Sequence, residues 1–397
     1  MSINIKEQAK SLNDYAVKIR RELHAHPEIA FDLPFTESVV IRELESMGIK
    51  NIVKGIGGGH GVYADIKGSK PGQCLAIRSD MDALPIKEET GLEFASQNGC
   101  MHACGHDAHV SMLLACAKIL SQPEVQKEIC GTVRLIFQPS EEPANGAAVM
   151  VKDGVLNGVD KIIGMHTGNL WAGLKAGQIG WRVGAFMAST TTFDIALSGK
   201  SAHGATPHLA VDTITMAAQI INQLQTVISR EISPFDAKVL TIGRIDGGTA
   251  HNIVAEACRL RGMIRCFSKE NSDFMKQRII EISEGAAKAM RGSASVEFSS
   301  DLPPVINDKD LTLKMRDIIN EELGSEFACE IATPTTGAED FSEYTKTVPG
   351  AFFYHCSTFG DGRDMPHHNS HFMVNEDVLW TGAAALAAFA LNWQPGA

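Results

Sequence analysis

The sequence predicts an α/β protein in two parts: a larger domain whose mostly parallel sheet is flanked by helices, and a smaller inserted α+β domain of ferredoxin-like pattern. Three observations carry this. Apolar runs alternate with helical patterns through the first part of the chain, as in βαβ units. Near Gly184 the texture changes to half-exposed alternation, and after "DLPPVIND" the helix and strand alternation resumes. At 397 residues the chain is long for one domain and comfortable for two. The division falls at 1–185 plus 303–397 for the larger domain and 186–302 for the insert.

Taken in order, an amphipathic helix spans Ile5 to His26 and is closed by Pro27, and a second runs from Thr36 to Met47 and stops at Gly48. The runs "GVYADI", "CLAIRSDM", "TVRLIFQP" and "KIIGMH" read as strands, with helical patterns at Val110 to Leu120 and Ala144 to Asp153 between them. "GIGGGHG" lacks the Lys-Ser/Thr ending of a phosphate loop and reads as a turn before a strand. In the insert, "TTFDIALSG" alternates Phe193, Ile195 and Leu197 against polar neighbours. A helix follows with Ile214, Ala217, Ile221, Leu224 and Ile228 on one face. "KVLTIGRIDGG" and "CRLRGMIRCF" are two further strands, and Asn271 to Met290 a second helix, giving a β-α-β-β-α-β order. "LWTGAAALAAFAL" near the C-terminus is too short to span a bilayer and reads as a packed helix.

A net charge of -11 with no dense basic run argues against nucleic acid or an anionic membrane as partner. A small molecule or peptide is expected instead. The opening "MSINIKEQAKSLNDYAVKIRREL" has no apolar signal region and reads as a cytoplasmic start. Nine cysteines without a framework fit reduced thiols.

The chemistry-bearing residues collect at strand ends. "LAIRSDMD" ends in Asp80 and Asp82, "TVRLIFQPSEE" in Glu141 and Glu142, and "KIIGMH" in His166. In an open parallel sheet these ends meet at one crevice. Adjacent carboxylates repel unless a positive group sits beside them. A metal ion supplies that charge and leaves one carboxylate free as a base. By itself, "SEEPANGA" fits an acidic helix start better, and the whole constellation shifts the reading towards the metal.

Cys104-Gly-His106 offers thiolate and imidazole to one ion. It also fits a Cys/His nucleophilic pair, whereas a zinc finger through Cys100 and Cys104 lacks a second pair at finger spacing. His109 suits a supporting or surface place better than ligation. "RDMPHHNSHF" offers His367, His368 and His371, and "GKSAHGATPH" offers His203 and His208. Arg259, Arg261 and Arg265 alternate onto one strand face, where an arginine could fork onto a substrate carboxylate.

The segments "RRELHAHPEIAF", "AIRSDMDALPI", "MHACGHDAHVSMLLACA", "IFQPSEE", "GMH", "SGKSAHGATPH" and "GAEDFSEY" resemble, in order, the amidohydrolase branch of the aminoacylase and carboxypeptidase metallopeptidase superfamily. That branch includes aminoacylases, hippurate hydrolases and indoleacetyl-amino-acid hydrolases. The resemblance implies that the larger domain is catalytic with two divalent metal ions, and that 186–302 is a lid that also forms a homodimer. Zinc or manganese is the implied metal, with nickel or cobalt also suited to the donors. Carried over by residue, the ligands fall on Cys104, His106, Glu142, His166 and His368, and the base on Glu141. Ser370 stands where relatives have proline, so His371 is the second candidate for the last ligand.

Compared with the wider superfamily, Asp80 replaces a metal-binding His and Cys104 a bridging Asp. Cys104 is therefore expected to bridge, His106 to compensate, and Asp82 to orient the site. His203 is implied as an oxyanion donor delivered from the partner subunit's lid, with Asn252 and Arg265 gripping a product carboxylate. The implied reaction is hydrolysis of an N-acyl amino acid to a carboxylic acid and a free amino acid. A dipeptidase or carboxypeptidase on the same scaffold is the alternative.

Overall fold

The structure, a computed structural model, describes residues 3–143 and 145–394. The chain divides into two compact units, Met1–Phe186 with Ile306–Pro334 and Asp340–Ala397, and Met187–Val305 with Thr335–Glu339. Residues 335–339, which the sequence division leaves in the larger domain, thus belong to the smaller unit. The backbone explains this: Ala188 N–H bonds the carbonyls of Thr335 and Gly337 at 3.2 and 2.9 Å.

The larger unit is built on an eight-stranded sheet in the order Ile52–Ile56, Gly61–Lys67, Cys130–Gln138, Lys70–Asp80, Lys161–Gly168, Gly350–Cys356, Ile179–Trp181, Ala328–Glu330. Lys70–Asp80 lies parallel to both neighbours, and Gly350–Cys356 continues the parallel run. The outer hairpin Ile52–Ile56/Gly61–Lys67 is antiparallel, and its turn is the "GIGGGHG" segment. The central strands are buried on both faces toward their carboxyl ends, which accounts for their unbroken apolar runs.

Helices cover the sheet. His106–Leu120 is buried nearly all round, so it behaves as a core helix and not as an amphipathic surface one. Leu379–Asn392 is likewise packed into the main apolar core through Leu386, Phe389 and their alanine neighbours. Two expectations need correction here. The helix read as Ile5 to His26 is broken into Ile5–Ser11 and Asn13–His24, because Leu12 N–H turns back to the Ala9 carbonyl at 3.0 Å. The next helix, Pro34–Ser46, begins two residues before Thr36, with proline supplying a ready-made first turn.

The smaller unit is a four-stranded antiparallel sheet in the order Lys238–Gly247, Ala257–Cys266, Thr190–Ser198, Ser293–Leu302. Helices Thr213–Thr226 and Lys269–Ala289 complete the β-α-β-β-α-β order. The buried face of the first helix is Met216, Ala217, Ile220, Leu224 and, just past its end, Val227. Ile214 is exposed and Ile221 only half-buried, so the helix is rotated relative to the face read from the sequence. Periodicity gives that face only to within about one residue, and the sheet's own apolar positions settle it. Among the described residues no helix is long and apolar enough to cross a membrane.

Candidate metal centre

Three parallel strands of the larger unit end side by side. Asp80 closes its strand opposite Gln138, and His166 lies near the end of Lys161–Gly168. Beyond Gln138 the chain turns through Ser140, whose φ of +60° is left-handed, before reaching Glu141 and Glu142. Such a backbone is costly and is held here by hydrogen bonds. Gly146 N–H reaches the Ser140 carbonyl at 3.0 Å, and Ser140 Oγ donates to Asn145 Oδ1 at 3.0 Å. The Asp82 carboxylate accepts the backbone N–H of Glu141 at 2.8 Å and of Glu142 at 3.1 Å.

The Cys104-Gly-His106 turn precedes the buried helix. Gly105 has φ of +83°, and a Cβ there would stand 2.9 Å from Thr167 Cγ2, so no other residue fits without strain. His106 Nδ1 donates to the Asp82 carbonyl at 2.8 Å, and Nε2, 3.5 Å from Asp80 Oδ2, is the nitrogen left for a metal to take in place of a proton. His166 Nδ1 donates in the same way to the Thr167 carbonyl at 2.9 Å, and its Nε2 lies 3.4 Å from Cys104 Sγ. His368, at φ of +63°, presents Nε2 3.4 Å from Glu142 Oε1. Its backbone N–H is tied to the Ala103 carbonyl at 2.9 Å.

Two groups of donors share Cys104. Its sulfur clusters with His106 and His166, and also with Glu142 and His368, the donor atoms of each group lying within 4.8 Å of one another. A further group joins His106, Glu141 and Glu142. His106 Nε2 and Glu142 Oε1 are buried and make no hydrogen bond. They have charged neighbours instead, Asp80 Oδ2 at 3.5 Å and His368 Nε2 at 3.4 Å, and an imidazole nitrogen and carboxylate oxygen so placed beside a thiol suit a divalent ion.

The electrostatics agree. Burial disfavours charge on His106, but Asp80, Asp82 and Glu142 override it and raise its pKa to about 10. Burial, reinforced by Glu142, Glu141 and Asp80, pushes the Cys104 thiol well up. The site is thus rich in negative charge that a cation would neutralise, and a cation would also favour the thiolate.

Asp80 forms a further group of donor atoms with His106 and His109, but its carboxylate is already engaged. It accepts from Arg78 Nη1 at 2.9 Å and pairs with His109 Nδ1 at 2.5 Å, and burial is outweighed by Arg78, His106 and His109, which hold its carboxyl well below the usual range. His109 Nε2 in turn accepts the Thr167 N–H at 2.7 Å, so both its nitrogens are used in support.

The structure therefore brings together Asp82, Cys104, His106, Glu141, Glu142, His166 and His368. His371 is exposed, with its ring against Ser370 Oγ at 3.1 Å, and belongs to none of these groups. His203, Asn252 and Arg265 lie in the smaller unit. There His203 is exposed and pairs with Ile253, while Gly204 N–H bonds the Asn252 carbonyl at 2.7 Å, so His203 and Asn252 are neighbours. Arg265 Nη1 donates to the Thr336 carbonyl at 2.7 Å. Arg259 and Arg261 are exposed and both pair with Asp194.

Two supporting groups escaped the sequence reading, and a third, His367, is offered by the sequence only as a candidate ligand. Asp340 accepts from Arg78 at 2.8 Å, from Gln138 at 2.8 Å and from Ala147 N–H at 2.9 Å, tying the ends of two central strands to the helix after Glu142. Arg20 and His24 both bond Asp107, the residue after His106, at 2.8 and 2.7 Å. His367 stands with Nδ1 3.6 Å from Cys104 Sγ. The acid in "GAEDF" was the available signal for the first; nothing local marks the second.

Residues 76–392 match the profile of peptidase family M20/M25/M40. The chain belongs to this family. It is 35% identical over 383 residues to the N-acetyl-L-cysteine deacetylase of Bacillus subtilis, covering 95% of this chain and 89% of that protein. It is also 35% identical over 396 residues to thermostable carboxypeptidase 1 of Saccharolobus solfataricus, covering 98% of each. Among solved structures, a dinuclear metal binding M20 peptidase of Bacillus subtilis superposes with a TM-score of 0.83 at 33% identity, covering 96% of this chain and 98% of that one. This M20 chain is accordingly a metal-dependent hydrolase of amide bonds, with a catalytic site for divalent metal.

Proposed function

We propose that this M20 hydrolase uses two divalent ions to cleave the amide of N-acyl amino acids, releasing a carboxylic acid and a free amino acid. The observation that carries the reading is the shared sulfur: Cys104 sits in both donor groups, with His106 and His166 and with Glu142 and His368. Cys104, the three imidazoles and Glu142 would hold the ions, a donor set that would favour zinc, nickel or cobalt, and manganese follows from the family resemblance. When bound, the metal pair supplies Lewis-acid polarisation of the scissile carbonyl and a nucleophile at neutral pH.

The protein's own residues do the rest. Glu141, whose carboxylate clusters with His106 and Glu142, takes the proton of the attacking water and returns it to the departing amine. Asp82 fixes the turn that carries Glu141 and Glu142. His203, supplied by the partner subunit of a homodimer, donates to the developing oxyanion. Asn252 beside it and Arg265 hold the carboxylate of the amino acid. Exposed apolar side chains of the smaller unit, Leu209, Ile214, Ile245 and Ile253, support association of two copies there. Nine free cysteines support a reducing, cytoplasmic setting.

Cleavage of peptides from the carboxyl end is the second reading, favoured by the relative named a carboxypeptidase. Metal analysis of the purified protein beside a panel of N-acetyl amino acids, N-benzoylglycine and dipeptides tests both. Two ions per chain with faster turnover of the N-acyl substrates supports the proposal; faster turnover of the dipeptides overturns it in favour of the second.

A further inference from the structure

His367 stands next to the ligand His368 in sequence but faces a different group. Its Nδ1 lies 3.6 Å from Cys104 Sγ, and its ring lies 5.0 Å from that of His166 and 4.7 Å from that of Phe372, centroid to centroid. The place is prepared from several directions. Gly168 has φ of +144°, and a Cβ on it would come within 2.0 Å of His367 Nε2, so the imidazole occupies space that only glycine leaves open. The loop is tied down on both sides, by Asn169 Nδ2 to the Met365 carbonyl at 2.9 Å and by His368 N–H to the Ala103 carbonyl at 2.9 Å.

One arrangement of the protons gives each of these groups a matching partner. Tyr354 Oη accepts the Leu170 N–H at 2.6 Å, so its own O–H is left to donate. His367 Nε2 is 3.4 Å from that hydroxyl, within reach to accept its proton. The neutral imidazole then holds its hydrogen on Nδ1, the atom that faces the sulfur. His367 itself is absent from the groups of donors that converge on one point with Cys104, whereas its bond to the sulfur has hydrogen-bond geometry.

We infer that His367 is a positioning residue that donates an Nδ1–H···S hydrogen bond to Cys104 when that sulfur is a metal-bridging thiolate, weakening its electron donation and fixing its direction. The inference rests on the two-metal reading above, since a thiolate ligand is what the bond would tune. Hydrogen bonds to ligating sulfur lower its donor strength, and outer partners of this kind typically change metal affinity about 10- to 100-fold. The Leu170–Tyr354–His367–Cys104 chain would thus link the strand Gly350–Cys356 to the metal centre through one polar relay.

The test uses cobalt-loaded full-length protein. Wild type should show a thiolate-to-cobalt charge-transfer band. In His367→Leu that band should move to lower energy, with two ions still bound per chain. His367→Asn, whose amide nitrogen replaces Nδ1, should move the band back towards wild type. A band unchanged in His367→Leu overturns the hydrogen bond, and loss of one ion per chain overturns it in favour of direct ligation. If wild type itself lacks the band, the bridging cysteine is wrong and the underlying reading fails with it. Should the leucine variant not fold, wild-type protein loaded with a magnetically active cadmium isotope decides. A scalar coupling between cadmium and the His367 Nδ1 proton supports the bond, and a proton found on Nε2 overturns it.

Discussion

Asp82 holds the backbone of Glu141 directly, its carboxylate oxygen accepting the Glu141 N–H at 2.8 Å while the other oxygen takes the N–H of Glu142 at 3.1 Å. One buried side chain thereby sets the position of both strand-end carboxylates. Asp82→Asn keeps the shape but replaces one acceptor oxygen with a donor that faces an N–H. Turnover should fall about 10- to 100-fold while both metal ions remain bound. Steady-state kinetics with metal analysis checks this, and loss of metal in step with activity would instead make Asp82 a ligand.

Metal removal should abolish hydrolysis, and re-addition should restore it. Ions that bind only the folded chain also stabilise it, by about 2.7 kcal/mol at a concentration a hundredfold above the dissociation constant. Thermal unfolding should therefore shift upward with added metal. Alkylating reagents should leave the metal-loaded enzyme active, because Cys104 is buried among its partners. Rapid inactivation by alkylation together with indifference to chelators would point to a cysteine nucleophile.

A pH effect follows from the buried group around Asp107. Burial and the Arg20 guanidinium oppose charge on His24, but the carboxylates of Asp107 and Glu88 override them and raise its pKa. His24 should accordingly contribute its full stability below the unfolded value of about 6.5 and lose it as pH rises through the raised folded value. Urea unfolding of metal-free wild type and His24→Gln should show the largest difference at low pH and a narrowing gap towards alkaline pH. A gap that widens with pH would mean that His24 is held neutral.

If His203 acts across the dimer, the two functions can be separated on different chains. Neither His203→Ala nor Glu141→Ala alone should turn over substrate at more than a small fraction of the wild-type rate. Mixed dimers carrying one of each retain one intact site and should recover part of the activity. Mixtures that exchange subunits and stay inactive would count against delivery from the partner.

Much of this was legible because the central strands are buried on both faces, so their apolar runs stand out and their last residues mark the crevice. Asp82, Glu141, Glu142 and His166 stand out as candidates that way. Other features depend on tertiary packing. No glycine or proline announces the break at Leu12, and the face of Thr213–Thr226 that is buried is chosen by the sheet beneath it. Asp340 meets Arg78 across 262 positions of sequence. His367 reaches Cys104 because Gly168 leaves room, a relation between distant loops that no local pattern records.

The central claim is that Glu141 moves the proton while its neighbours hold the metal. It is tested most directly by measuring metal content and N-acetyl amino acid hydrolysis on the same preparation of Glu141→Gln. Two ions per chain should remain while turnover falls about 100- to 10,000-fold. Near-normal turnover with both ions bound would contradict the assignment.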